Sequence, residues 1–74
     1  MEEIKYEIIE SFGTISITPS GWVKELNLIS WNGGEPKYDI RQWAPDHSKM
    51  GKGVSLSREE AEELKVLLHK WLPR

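Results

Sequence analysis

The chain has 74 residues, no cysteine, 30% charged residues and a formal net charge of −2. This composition excludes a disulfide framework and a thiolate metal site; no apolar run nears the roughly 20 residues that a membrane-crossing helix needs. One small cytoplasmic domain over residues 1–74 is expected, of a size that often gains stability by oligomerising.

The opening segment MEEIKYEIIE is acidic and alternating, unlike a signal peptide. β-branched and aromatic residues predict a strand near Lys5 to Phe12. Gly13 breaks it. Thr14 to Thr18 then alternates isoleucine with hydroxyl residues, so Ile15 and Ile17 are expected to face inward. Pro19, Ser20 and Gly21 form a turn. The strand near Trp22 to Trp31 places Leu26 and Leu28 on one face and Asn27, Ile29 and Trp31 on the other. Asn32-Gly33-Gly34-Glu35-Pro36 is a hairpin-type connection whose two glycines are free to take positive φ.

Lys37 to Ala44 reads as a further strand, with Tyr38 and Ile40 on its core side. Lys37, Arg41 and Trp43 share its opposite face, because side chains in a strand alternate. Pro45 to Gly53 reads as a flexible loop and Val54 to Leu56 as one more short strand. Ser57 followed by Glu60 is a capping box, and Glu59 and Glu60 suit the positive end of a helix dipole. Ala61, Leu64, Leu67, Leu68, Trp71 and Leu72 then recur at helical spacing, and Pro73 ends the helix. One curved antiparallel sheet followed by one C-terminal helix, an α+β fold, is the simplest architecture. A single helix cannot cover both faces of such a sheet. The long apolar stripe therefore predicts a homodimer through the helix, with Leu64, Leu68, Trp71 and Leu72 at the interface.

The residues offer little to catalysis. His47 and His69 lie on separate elements, without the close spacing of a metal pair, and Asp46 beside His47 has no nucleophile motif with it. Gly51-Lys52-Gly53 lacks the full phosphate-loop pattern, although Lys52 and nearby amides suit a phosphate contact. No enzyme, metal, cofactor or small-molecule substrate is expected.

The aromatic residues point elsewhere. Trp22, Trp31 and Trp43 each have a cation near in sequence or across a turn: Lys24, Lys37 and Arg41. Indole faces stack on unpaired bases at ~1–3 kcal/mol per base, while cations meet the phosphates between them. Taken singly, each tryptophan also reads as ordinary sheet packing, and Arg41 as an exposed partner of Asp39 that contributes little to stability. On the stacking reading, Arg41→Ala and Trp31→Ala weaken strand binding and leave thermal stability nearly intact. The sequence pI of about 5.6 opposes nucleic-acid binding by bulk charge. Between Ser11 and Leu56, however, Lys24, Lys37, Arg41, Lys49 and Lys52 outnumber the acids by one.

The stretch YDIRQWAPDHSKMGKGVSLSREEAEELKVLL resembles the core of the transcriptional positive cofactor four family. The residues that carry the likeness are Asp39-Ile40-Arg41, Trp43, Lys52-Gly53 and Gly53-Val54-Ser55-Leu56, followed by the helix. The tryptophan-rich front half looks closest to the bacterial YdbC-type members. The resemblance implies a ββββα fold, a homodimer, and single-stranded DNA bound along curved sheet surfaces with little sequence preference. It also implies a role in transcription, replication or repair. By position, Trp31 matches an aromatic that stacks on bases, Arg41 a strand arginine on the binding face, Lys52 a basic loop residue and Trp43 an aromatic at the strand end. The chain departs from eukaryotic members at Asn32 to Pro36, where they carry a basic hairpin, and at Ala44, which replaces a second aromatic.

The expected function is therefore single-stranded DNA or RNA binding. Trp22, Trp31 and Trp43 serve as stacking platforms, and Lys24, Lys37, Arg41, Lys49 and Lys52 neutralise phosphates. The alternative is a protein-interaction module that holds a peptide on the same aromatic face.

Overall fold

The computed structural model describes residues 4–73. Glu2 and Glu3, half of the acidic N-terminal run noted above, lie outside the described residues. The elements run β1 (Tyr6–Ile17), β2 (Val23–Trp31), β3 (Lys37–Trp43), β4 (Met50–Leu56) and α1 (Arg58–Trp71). The strands form one antiparallel meander in the order β1-β2-β3-β4, so every connection is a local hairpin. This is the expected ββββα fold.

Two strand boundaries differ from the expectation. Gly13 does not end a strand; β1 continues through it as one element of 12 residues. Its pairing with β2 shifts between Ile8 and Glu10, Ser11 and Gly13, and Thr14 and Ser16. Each shift is a bulge that bends the strand and re-aims its side chains. Ile15 and Ile17 consequently part company: Ile15 faces the helix side, while Ile17 pairs with Val23, itself opposite Trp43. Neither faces inward; both are exposed. The second difference is β4, which begins at Met50, so the connecting loop is shorter than the sequence indicates and Lys52 belongs to a strand.

Two turns show the local chemistry. Asn32 (φ 51) and Gly33 (φ 74) are the positive-φ residues of the β2–β3 hairpin, and Gly34 donates its N–H to the Trp31 carbonyl at 2.8 Å. Asparagine thus takes the place expected of the second glycine, a substitution its short polar side chain tolerates. The capping box is present as expected: Ser57 Oγ accepts from the Glu60 N–H at 3.1 Å, and Glu60 Oε1 accepts from the Ser57 N–H at 2.9 Å.

The sheet has a helix face and a polar face. The helix rests against β3 and β4. Leu26, Tyr38, Ile40 and Leu56 look toward it across a cleft of about 350 Å³, closed on the other side by Ala61, Leu64 and Leu68. The helix has no fully buried residue; Leu68 is half-exposed and Trp71 is 72% exposed. The most enclosed side chains lie on the opposite face. Asn27, Ile29, Asp39 and Trp43 all have 0% exposure. The face expected to be the core is therefore the more open one. What closes the polar face is a roof that sequence periodicity does not register: the Tyr6 side chain at the start of β1 and His47 in the β3–β4 loop.

Candidate nucleic-acid interface

Strand register assembles the polar face. Val23 pairs with Trp43, Glu25 with Arg41, Asn27 with Asp39 and Ile29 with Lys37, so the odd-numbered residues of both strands emerge together. Lys37, Arg41 and Trp43 share this face, as alternation requires. Lys24 pairs with Gln42 on the other side. Trp22 also lies on that side, its ring packed over Gly51 next to Gln42. Trp22 and Lys24 are thus separated from Trp31, Arg41 and Trp43 by the thickness of the sheet.

An ionic network holds the centre of the face. Asp39 accepts from Arg41 Nε at 2.7 Å and from Arg41 Nη2 at 2.9 Å, a bidentate pair. Ser55 Oγ donates to the same carboxylate at 2.9 Å and accepts from Trp31 Nε1 at 3.1 Å. Arg41 Nη1 also donates to the Gly51 carbonyl at 3.3 Å. The Arg41 side chain is only 14% exposed and that of Asp39 is 0% exposed. This corrects the reading of an exposed, weak pair. Stripping Arg41 away would leave a carboxylate buried without its counter-ion, so Arg41→Ala cannot leave stability intact.

The arginine also stacks where the sequence did not place it. Its Cζ sits 4.8 Å from the centre of the Trp31 ring, a cation–π contact with an indole other than Trp43, its neighbour in sequence. Space for this stack comes from Gly53, which pairs with Arg41 in β4. A Cβ at Gly53 would stand 2.1 Å from Arg41 Cβ and 2.5 Å from the Ile40 carbonyl oxygen, closer than packing permits. Beside the stack an open cleft of about 360 Å³ is lined by Ile4, Trp31, Asn32, Arg41, Met50 and Ser55.

Trp43 has a different neighbour. The His47 imidazole lies parallel to its indole, 4.4 Å between centroids and 6° between planes. Nε2 of His47 is 3.1 Å from both carboxylate oxygens of Glu25, which also accepts from Asn27 Nδ2. His47 has φ 64, unusual for a residue with a side chain, so the loop accepts backbone strain to seat the imidazole there. The loop is pinned by Ser48, whose N–H and hydroxyl both donate to Asp46 Oδ1. Those bonds hold the Asp46 carboxyl below its usual pKa, the Ser48 hydroxyl being the main cause. In this conformation Trp43 is a packed residue with both its surroundings and its rim closed. Its Nε1 and the Asn27 Oδ1 are buried polar atoms without a hydrogen-bond partner among the described residues.

Among the described residues Lys37 on this face, Lys49 in the β3–β4 loop, Lys52 in β4 and Lys5 before β1 are exposed and outside the ion pairs. The dimer-interface candidates lie elsewhere, on α1 and just after it: Leu64 is half-buried, and Leu68, Trp71 and Leu72 are exposed.

Sequence reasoning missed Tyr6. Its ring is 5.9 Å from Trp31 and 5.5 Å from Trp43, making it the link between the two indoles. It also missed His47 as a stacking partner. Neither has a motif. The alternation of Tyr6 with Ile8 was a usable sign, since Tyr6 pairs with Trp31 and Ile8 with Ile29.

Comparison with known sequences agrees with this architecture. A protein of Treponema pallidum (strain Nichols), carrying only the name "Uncharacterized protein", is 52% identical over 68 residues, spanning 92% of this chain and 80% of that protein. Residues 18–67, from the turn before β2 into α1, match the family described as Transcriptional Coactivator p15 (PC4). With that match covering the three strands and the glycine that shape the polar face, the chain belongs to the Transcriptional Coactivator p15 (PC4) family.

Proposed function

We propose that the protein binds single-stranded DNA with little sequence preference, as a homodimer and without catalysis, in transcription regulation or in replication and repair. The observation that carries this reading is the Trp31–Arg41 stack beside an open cleft, within the segment matched by a DNA-binding coactivator family. An indole whose one face is backed by a guanidinium has its remaining surface presented toward the cleft, where a base can lie. Lys37, Lys49 and Lys52 supply exposed charge for phosphates. Trp22 and Lys24 lie across the sheet and are not part of this path. Bases in a duplex are hidden in the stack, so a stacking site selects unpaired strands.

The second copy is proposed to sit on the helix face. Leu67, Leu68, Trp71 and Leu72 are exposed apolar residues at and after the helix end, and Leu68 also lines the cleft between helix and sheet. Exposed apolar side chains grouped in this way suit an association site. A copy of the same helix supplies matching apolar side chains.

Titrating oligo-dT into the protein while following tryptophan emission tests the reading. Quenching that weakens with salt is expected, with a log–log slope near −2 for about three phosphate contacts at roughly −0.7 each. No change at micromolar protein and low salt would reject strand binding and leave a peptide-binding face as the function.

A further inference from the structure

We infer that Tyr6, which lies outside the family-matched segment, is a base-stacking residue that extends the strand-binding face onto β1. This inference rests on the single-stranded DNA reading and names a contact within it. Three aromatic rings meet on the polar face, and they are not equally available. Trp43 is fully enclosed, with His47 stacked on it. Trp31 is half-buried, with Arg41 over its ring and its Nε1 committed to Ser55. Tyr6 is tilted at 45° to Trp31 and 49° to Trp43 and is still 39% exposed. It is braced by two tilted indoles and still partly exposed, the condition a stacking platform needs: a ring held in place, with free area.

The surroundings of Tyr6 suit a polynucleotide. Its backbone neighbour Lys5 is fixed to the β2–β3 turn at both ends, donating its N–H to Asn32 Oδ1 at 3.0 Å and accepting from the Asn32 N–H at 2.6 Å. Tyr6 pairs with Trp31, which lines the cleft beside Arg41, whereas Glu7 pairs with Ser30 on the opposite side of the sheet. A strand crossing the polar face would pass from a base on Tyr6 to a base on Trp31, with Lys37 flanking the path. The phenol hydroxyl makes no hydrogen bond among the described residues, so packing alone does not require tyrosine over another ring.

Photo-crosslinking of the full chain with a 5-iodouracil-substituted oligo-dT, followed by peptide mapping, tests this directly. Crosslinking at Tyr6 is expected. Alongside it, Tyr6→Leu should weaken oligo-dT binding about tenfold, within the range for one lost stack, with an unchanged salt slope because no phosphate contact is removed. Tyr6→Phe, which keeps the ring, should bind like the parent. Crosslinks that map only to other residues, or a folded Tyr6→Leu protein that binds as tightly as the parent, would overturn the inference while leaving strand binding standing. A parent protein that fails to bind oligo-dT at low salt would remove both.

Discussion

On the polar face, Asn27, Ile29, Asp39 and Trp43 are fully buried within a single copy, and the charge of Arg41 is met by a carboxylate beneath it. On the helix face the residues are more apolar, yet Leu67, Leu68 and Trp71 stand exposed and a cleft separates helix from sheet. Hydrophobic patterning would have assigned the two faces the other way round. The difference teaches that enclosure here follows curvature and loops. The polar face is closed by its own chain, and the apolar face stays open.

Breaking the polar face should be the more damaging of the two. Arg41→Ala strands the Asp39 carboxylate in a fully buried position and should destabilise by about 3–5 kcal/mol, the cost typical of splitting a buried ion pair. Urea denaturation measures it. A loss below about 1 kcal/mol would place the pair in solvent and erase the contrast between faces.

Gly53→Ala tests the same face through its backbone. The added methyl collides with Arg41 and the Ile40 carbonyl, so β3 and β4 must separate, for about 2–3 kcal/mol by the usual scale of overpacking. Hydrogen exchange should localise the loosening to the β3–β4 ladder.

The helix face answers a different measurement. Trp71→Lys removes an exposed indole from the open surface, so the unfolding of one copy should change little while self-association weakens at least tenfold, about 1.4 kcal/mol. Sedimentation velocity reads this. Identical sedimentation of parent and variant would remove Trp71 from any interface.

The smallest effect belongs to the loop over Trp43. Ser48 favours the ionised Asp46, whose pKa in the folded protein lies below the usual aspartate value. A depressed carboxyl pKa stabilises the fold above that usual value, and the contribution is lost as pH falls through the folded value. Ser48→Ala should therefore leave neutral-pH behaviour almost unchanged and flatten the acid-side dependence of loop exchange.

Much of this architecture was legible in the sequence because it is local. Ser57 and Glu60 announce the helix start, alternation in β2 and β3 fixes which residues share a face, and Asp39-Ile40-Arg41 through Leu56 carries the family likeness. What remained hidden depends on the third dimension. Alternation says that Asp39, Arg41 and Trp43 emerge together but not that Tyr6 and His47 roof them over. The three bulges of β1 place Ile15 and Ile17 on different sides, an outcome that strict period-two reasoning forbids. Arg41 stacks on Trp31 rather than on Trp43, its neighbour in sequence, because a glycine across the sheet has no side chain, and alternation does not register that choice.

The enclosure of Trp43 gives the molecule a built-in reporter. Its indole can meet a dissolved collisional quencher such as acrylamide only when the Pro45–Lys49 segment lifts His47 away, whereas Trp71 is exposed in a single copy and would add its own signal. In a Trp71→Phe background, the protected fraction of the emission therefore becomes a gauge of how often that segment opens, readable without any label and before any strand is added.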